Sequence, residues 1–475
     1  MSVMLLCGGR LVWPLCIPLR VRTAPLRRAT AVDILERSHP HPRSRRSRAV
    51  AVLGAGALAV ALSLTGAVGP AAADTVTDTI TVGTYPSSLA ITPDGGRAYV
   101  TNQLSDTVSV INTADNTIVG APIGVGGNPV GVAFTPDGSR AYVTNNSSSV
   151  SVIDVATNVV VGDPIAVGSN PYGVAITPDG SRAYVTNYGG SSVSVIDVAT
   201  NVVVGDPIAV GSKPIRVAIT PDGSRAYVTN SGGSSVSVID IATNVVVGTP
   251  IVVGASPNGV AITPDGSRAY VTNNSGSSVS VINTSDNTVI GTPIPVGGNP
   301  LGVAITPDGS RAYVTSQDDS TVSVIDVATN VVVGDPIGVG LNPVGVAITP
   351  DGARAYVANI FGSSVSVIAI EVAPTLTGTP PAGVLGQPYS HAFTVTGQPT
   401  PVAVTLTAGT LPLGLELSED GVLSGTPTEA GSFAVTFTAS NGIGTPATLD
   451  ATLIVTAAPE PPSTGSLGSL EGFGS

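Results

Sequence analysis

The chain has 475 residues, of which 42% are hydrophobic and only 11% charged, with 57 Gly and 39 Pro. That length accommodates two or three domains. Gly and Pro fall at regular intervals between Val/Ile-rich runs, which excludes a disordered polymer and favours many short strands joined by tight turns. The formal net charge of −12, with no basic patch after residue 73, argues against nucleic acid or anionic lipid as a partner.

Residues 1–73 differ from the rest. They hold Cys7, Cys16 and Trp13, and ten of the nineteen basic residues. A basic run, Arg43-Ser-Arg-Arg-Ser-Arg48, precedes an apolar run from Ala49 to Gly69 and then Pro70-Ala-Ala-Ala73. This is the plan of a secretory signal peptide cleaved near Ala73. An uncleaved anchor is the competing reading, since 21 apolar residues could span a bilayer; the Ala-x-Ala site favours cleavage. The pair Arg45-Arg46 does not separate general from twin-arginine export. Residues 1–42 read as a start assigned too early or an unstructured leader. An extracytoplasmic, secreted or cell-surface protein is expected, with no transmembrane segment in the mature chain. After Ala73, nine cations against 29 carboxylates leave a net −20. No cysteine remains, so no disulfide is available and stability rests on packing.

From residue 74 a repeat organises the chain. Thr-Pro-Asp-Gly begins at Thr92, Thr135, Thr177, Thr220, Thr263, Thr306 and Thr349, at spacings of 42 or 43. Each unit offers four strands; in the third they are Gly173–Thr177, Arg182–Asn187, Ser192–Asp197 and Val202–Val210. Ser-Val-Ser-Val-Ile alternates with period two, and Pro-Asp-Gly is turn chemistry. Four antiparallel strands per repeat of about 40 residues is the pattern of a β-propeller blade. The seventh unit lacks its fourth strand, and Thr79-Ile-Thr-Val-Gly83 stands at the front to supply it. The expected fold is therefore all-β: a seven-bladed propeller over 74–371, closed by an N-terminal strand. Tyr-Val-Thr-Asn at 99–102, 142–145, 184–187, 227–230 and 270–273, with Tyr313-Val-Thr-Ser316 and Tyr356-Val-Ala-Asn359, resembles the YVTN family of β-propeller repeat proteins. That resemblance implies an extracytoplasmic or surface-layer protein.

Residues 372–457 show short alternating runs at 392–396, 402–406 and 433–437, spaced as in a β-sandwich. Leu411-Pro-Leu-Gly-Leu-Glu-Leu417 and Gly421-Val-Leu-Ser-Gly-Thr-Pro-Thr428 resemble the Ig-like domains appended to many bacterial surface proteins. Residues 458–475 read as a disordered Pro/Gly/Ser-rich tail.

The chemistry of a site is scarce. His39, His41 and His391 all lie outside the propeller, which also lacks cysteine, so the usual nucleophile, acid–base and metal sets are missing. No catalytic residue, metal or cofactor is assigned. The turn Asp residues repeat and read as turn formers. The Arg that recurs once per blade, Arg97 to Arg354, is expected to pair with turn carboxylates, and the repeated Tyr to bond its hydroxyl locally. A carboxylate-only hydrolase or lyase, lactonase-like, is the alternative function.

Variation between the units collects at one end of the blades. Before the strand-opening Pro stand Tyr85, Asn128, Asn170, Lys213, Ser256, Asn299 and Asn342; the other loop there supplies Asp106, Asn146, Tyr188, Ser231, Asn274, Asp318 and Phe361. Tyr172, Tyr188, Lys213 and Arg216 are expected to cluster and bind a partner, because aromatics and Arg are favoured anchors. Lys213 is the only lysine, and Arg216 stands where five other units carry Gly. The expected reading is a non-catalytic scaffold with a monomeric propeller, its partner a protein or polysaccharide of the cell envelope.

Overall fold

The computed structural model describes residues 74–398, 402–443 and 445–458. The leader and signal peptide expected over 1–73, and residues 459–475 of the expected tail, lie outside them.

Seven four-stranded antiparallel sheets follow one another from Thr75 to Ala369. In blade three, the inner strand Pro171–Ile176, second strand Arg182–Asn187 and third strand Ser192–Asp197 pair in sequence order. The first strand begins at Pro171 rather than Gly173, through a bulge between Pro171 and Val174. The fourth is not continuous over 202–210. Val202–Val203 and Ile208–Ala209 pair with the third strand, and the chain leaves it between. Gly205 lies at φ 70 there, and Pro207 has no N–H to donate, so the ladder breaks at the rim and the outer edge is blunted against foreign strands. In blades five and six the same stretch forms one strand, Thr288–Pro295 and Val331–Gly338, whose register shifts at the same Gly-x-Pro segment.

The ring closes as expected. Thr75–Thr81 runs antiparallel to Ser364–Ala369 and becomes the outer strand of blade seven. Ile80 then packs with Tyr356, Val365 and Val367 of that blade against Leu89, Ala98, Val100 and Ile111 of blade one. The other apolar clusters have the same plan, each lying between consecutive blades. Packing between neighbouring blades covers both faces of the second strands, which are buried over five consecutive positions, Ala-Tyr-Val-Thr-Asn, with every repeated Tyr wholly buried.

Polar bonds run around the ring alongside this core. The Thr of Tyr-Val-Thr-Asn accepts an N–H from its own inner strand and donates to a carbonyl of the next. Thr186 takes the Gly173 N–H at 2.8 Å and donates to Ile215 O at 2.7 Å. Ala358 leaves blade seven without this link.

Two expectations need correction. The repeated Arg does not pair with turn carboxylates in general. Arg97, Arg140, Arg182, Arg225, Arg268 and Arg354 each donate to a backbone carbonyl at the end of the next blade's third strand. Only Arg311 meets a carboxylate, that of Asp74. The Tyr hydroxyl does not bond locally either. It reaches the next blade, as Tyr142 to Asn201 Oδ1 at 2.5 Å and Tyr227 to Asn287 Oδ1 at 2.6 Å. Those Asn sit at φ near 57–59, a left-handed conformation that Asn tolerates. The turn bends and presents its acceptor with the same residue.

The C-terminal module forms a four-stranded sheet, Gly383–Val384, Ala447–Thr456, Gly431–Ser440 and Ala403–Ala408, and smaller sheets of two and three strands. Its core gathers Leu376, Phe393, Val404, Leu415, Leu423, Val435, Phe437 and Leu453.

Candidate functional site

Within each blade the first and third turns share one end of the sheet, and the second-to-third loop shares the other with the crossover into the blade. The turn end is nearly invariant because it holds the ring. In Thr177-Pro-Asp-Gly-Ser181, Asp179 accepts the Thr177 hydroxyl at 2.5 Å and the Ser181 N–H at 3.0 Å. These bonds, the Thr177 hydroxyl first, hold the Asp179 carboxyl below its ordinary range. Asp197 likewise accepts the Thr200 N–H and hydroxyl. Both carboxylates are engaged by their own turns, and among the described residues no group of three or more His, Cys, Asp or Glu is placed to hold a metal.

The opposite end carries the variation on a fixed frame. Each crossover lies between two second-to-third loops: the Ser231 N–H bonds Lys213 O, while the Lys213 ammonium stands over the Tyr188 ring of the preceding blade. All seven residues before the inner-strand Pro, Tyr85 and Lys213 included, lie at φ 50 to 66. Four are Asn, so the backbone demand is constant while the side chain changes.

The four residues singled out from the sequence do come together, across the boundary of blades three and four. They form a stack. Lys213 Nζ stands 5.9 Å from the Tyr188 ring centre, Tyr188 and Tyr172 lie 6.2 Å apart with planes tilted by 37°, and the Arg216 guanidinium is 5.4 Å from the Tyr172 ring. Lys213 is exposed and the other three are half-buried. Arg216 is on the inner strand Pro214–Ile219, two residues from its Pro. Burial lowers its pKa from the ordinary guanidinium value, and Tyr172 acts weakly in the other direction. Its main-chain N–H bonds Thr229 Oγ1 at 3.0 Å.

Sequence reasoning missed a second patch at this end. Tyr85 meets Phe361 edge to face at 5.5 Å, where the ring closes between blades seven and one. Leu104 stands beside it, its N–H bonding Thr84 O at 3.3 Å, and Leu104 and Phe361 are 67% and 60% exposed. The two aromatic residues were both among the variable positions, but their union depends on closure of the ring. Blade six is different again: Asp318 accepts from Asn299 Nδ2 at 2.6 Å, and Asp319 from the Gly298 N–H at 2.7 Å.

Comparison with known proteins bears on the fold. Residues 33–354 match the family described as "YNCE-like beta-propeller", and residues 372–456 the one described as "Putative Ig domain". Among solved structures, a chain of Kuenenia stuttgartiensis hydrazine synthase is similar, at 28% identity and a TM-score of 0.55 over 60% of this chain and 96% of that one. No curated protein sequence matches. Among the described residues no helix is long and apolar enough to cross a membrane.

Proposed function

This chain belongs to the YNCE-like beta-propeller family, and we propose that it uses that fold as an exported, non-catalytic binding scaffold. Its partner, a protein or polysaccharide of the cell envelope, docks on the variable end of the blades around Tyr172, Tyr188, Lys213 and Arg216. One observation carries this reading: units that are nearly copies at the turn end diverge at the other, and the divergent side chains assemble into a cation–aromatic stack. Drift alone would scatter substitutions, whereas a rigid ring presenting varied loops is a general way to build recognition. The Ig-like module, a type appended to surface proteins, supports an extracytoplasmic setting.

The test immobilises the chain from Asp74 onward and measures capture of fractionated envelope proteins and polysaccharides. A variable-end variant (Tyr172→Ser, Tyr188→Ser, Lys213→Ser, Arg216→Gly) loses capture of a fraction that the turn-end variant Ala199→Arg retains. Equal capture by both sinks the assignment. Turnover of a lactone by the purified chain, abolished by replacing channel carboxylates, would instead establish the hydrolase alternative.

A further inference from the structure

Eight arginines and one lysine lie among the described residues. Seven of the arginines are committed to the ring through carbonyls of the following blade or its linker. The two remaining cations are Lys213 and Arg216, which share one patch. Neither side chain makes a hydrogen bond or ion pair to a described residue, and the one ion pair in those residues is Arg311 with Asp74. Arg216 therefore holds its N–H donors half-buried and unspent. The four segments that meet at the patch, residues 168–172, 188–191, 211–215 and 231–234, contain no acidic residue.

Both cations also occupy positions that disfavour them. At the position of Arg216, a Cβ added to Gly131, Gly173, Gly259 or Gly302 would stand 2.4–2.6 Å from a carbonyl of the next blade. Lys213 sits at φ 53, where four of the other units place Asn. A desolvated guanidinium without a partner is a cost that an incoming anion removes.

We propose, resting on the assignment of the partner to this end of the blades, that the patch binds the carboxylate of an acidic saccharide, a uronate unit. A planar carboxylate matches the guanidinium fork in a way that a point charge does not. The phenol hydroxyls of Tyr172 and Tyr188 have no bond to a described residue and are free to meet sugar hydroxyls. The exposed Leu104 and Phe361, the apolar anchors that a protein interface wants, lie in the other patch, between blades seven and one. Beside the stack are Gly189-Gly190 and Gly232-Gly233, which leave room and offer polar main chain. The acidic balance of the chain does not oppose this at physiological salt, where charges beyond about 8 Å are largely screened.

Isothermal titration of the chain from Asp74 onward with trigalacturonate tests the proposal, beside its methyl ester and hexaglutamate. Wild type binds the acid, and the ester at least about tenfold more weakly. Arg216→Gln weakens acid binding about tenfold or more, Arg216→Lys recovers only part of it, and Lys213→Gln costs about threefold. Unchanged melting temperatures of the variants separate binding from folding. Failure of wild type to bind trigalacturonate, equal affinity for the ester, equal binding by Arg216→Gln, or tighter binding of hexaglutamate overturns it. Any of these with variable-end capture of an envelope fraction intact removes the uronate alone. Envelope capture indifferent to the variable end removes the assignment on which it rests.

Discussion

The Asp74 carboxylate accepts the Tyr313 hydroxyl at 2.5 Å across 239 residues of sequence. It stands where an Asn of the third turn would stand in any other blade, because blade seven has no such turn of its own. The same carboxylate meets Arg311 at 3.3 Å and accepts the Glu371 N–H at 2.8 Å. One residue thus joins blade six, the closing strand and the chain leaving the propeller.

Replacing Asp74 should open the ring's weakest joint. Its side chain is only 5% exposed, so Asp74→Ala leaves Arg311 and Tyr313 without their partner and costs about 2–4 kcal/mol. Asp74→Asn restores the arrangement of the other blades and costs under about 1 kcal/mol. Urea unfolding of the two variants checks the order. An Asp74→Ala midpoint at the wild-type value removes Asp74 from the closure.

High pH should attack every joint. Burial raises the pKa of Tyr99, Tyr142, Tyr184, Tyr227, Tyr270 and Tyr356, and at Tyr313 burial followed by the Asp74 charge raises it furthest. The folded state therefore holds these protons more tightly than the unfolded chain. The stabilisation is whole below the ordinary tyrosine value of about 10 and is lost as pH climbs above it. Absorbance at 295 nm should show the buried tyrosines ionising together with the loss of β signal by circular dichroism. Gradual ionisation at pH 10 in an intact fold would contradict this.

Low pH works on the turns with the opposite sign. Thr hydroxyls, then backbone N–H groups, depress Asp94, Asp137, Asp179, Asp222 and Asp265. Their contribution is present above the ordinary carboxylate value of about 3.9 and disappears as pH falls through the lower folded values. Melting temperature should be flat from pH 7 to about 5 and fall below about 4. Because all seven blades carry the turn, Asp179→Asn alone should flatten the decline only slightly.

Blade number, strand order and ring closure were legible because each rests on a repeated local signal: a turn tetrapeptide, a period-two strand, a missing fourth strand. The cluster of Tyr172, Tyr188, Lys213 and Arg216 was legible because adjacent blades superpose their loops. What the repeat hid was its own inter-blade chemistry. Tyr and Arg bond about 59 residues ahead, in the next blade, and a single repeat read alone supplies only local partners. The recurrence of an Asn at the end of the third turn in six units, Asn116, Asn158, Asn201, Asn244, Asn287 and Asn330, was the available clue. Tyr85 and Phe361 carried none, since they sit at opposite ends of the repeat array and meet only once the ring is shut.

Binding and stability separate at the stack itself. Arg216→Gly returns blade four to the repeat, removing a half-buried cation without a bonding partner and a Cβ from the close approach of inner strands. Glycine adds freedom to the unfolded chain, worth about 0.5–1 kcal/mol, but loss of an unpaired desolvated charge outweighs it. Lys213→Asn places at φ 53 a residue that tolerates the left-handed region, a gain of about 0.5–1 kcal/mol. The double variant should therefore melt at or above the wild-type temperature while losing the ligand. Calorimetric melting of both proteins checks this. A double variant that melts clearly lower would mean that the two cations serve the fold, and the stack would then be a structural feature of blades three and four.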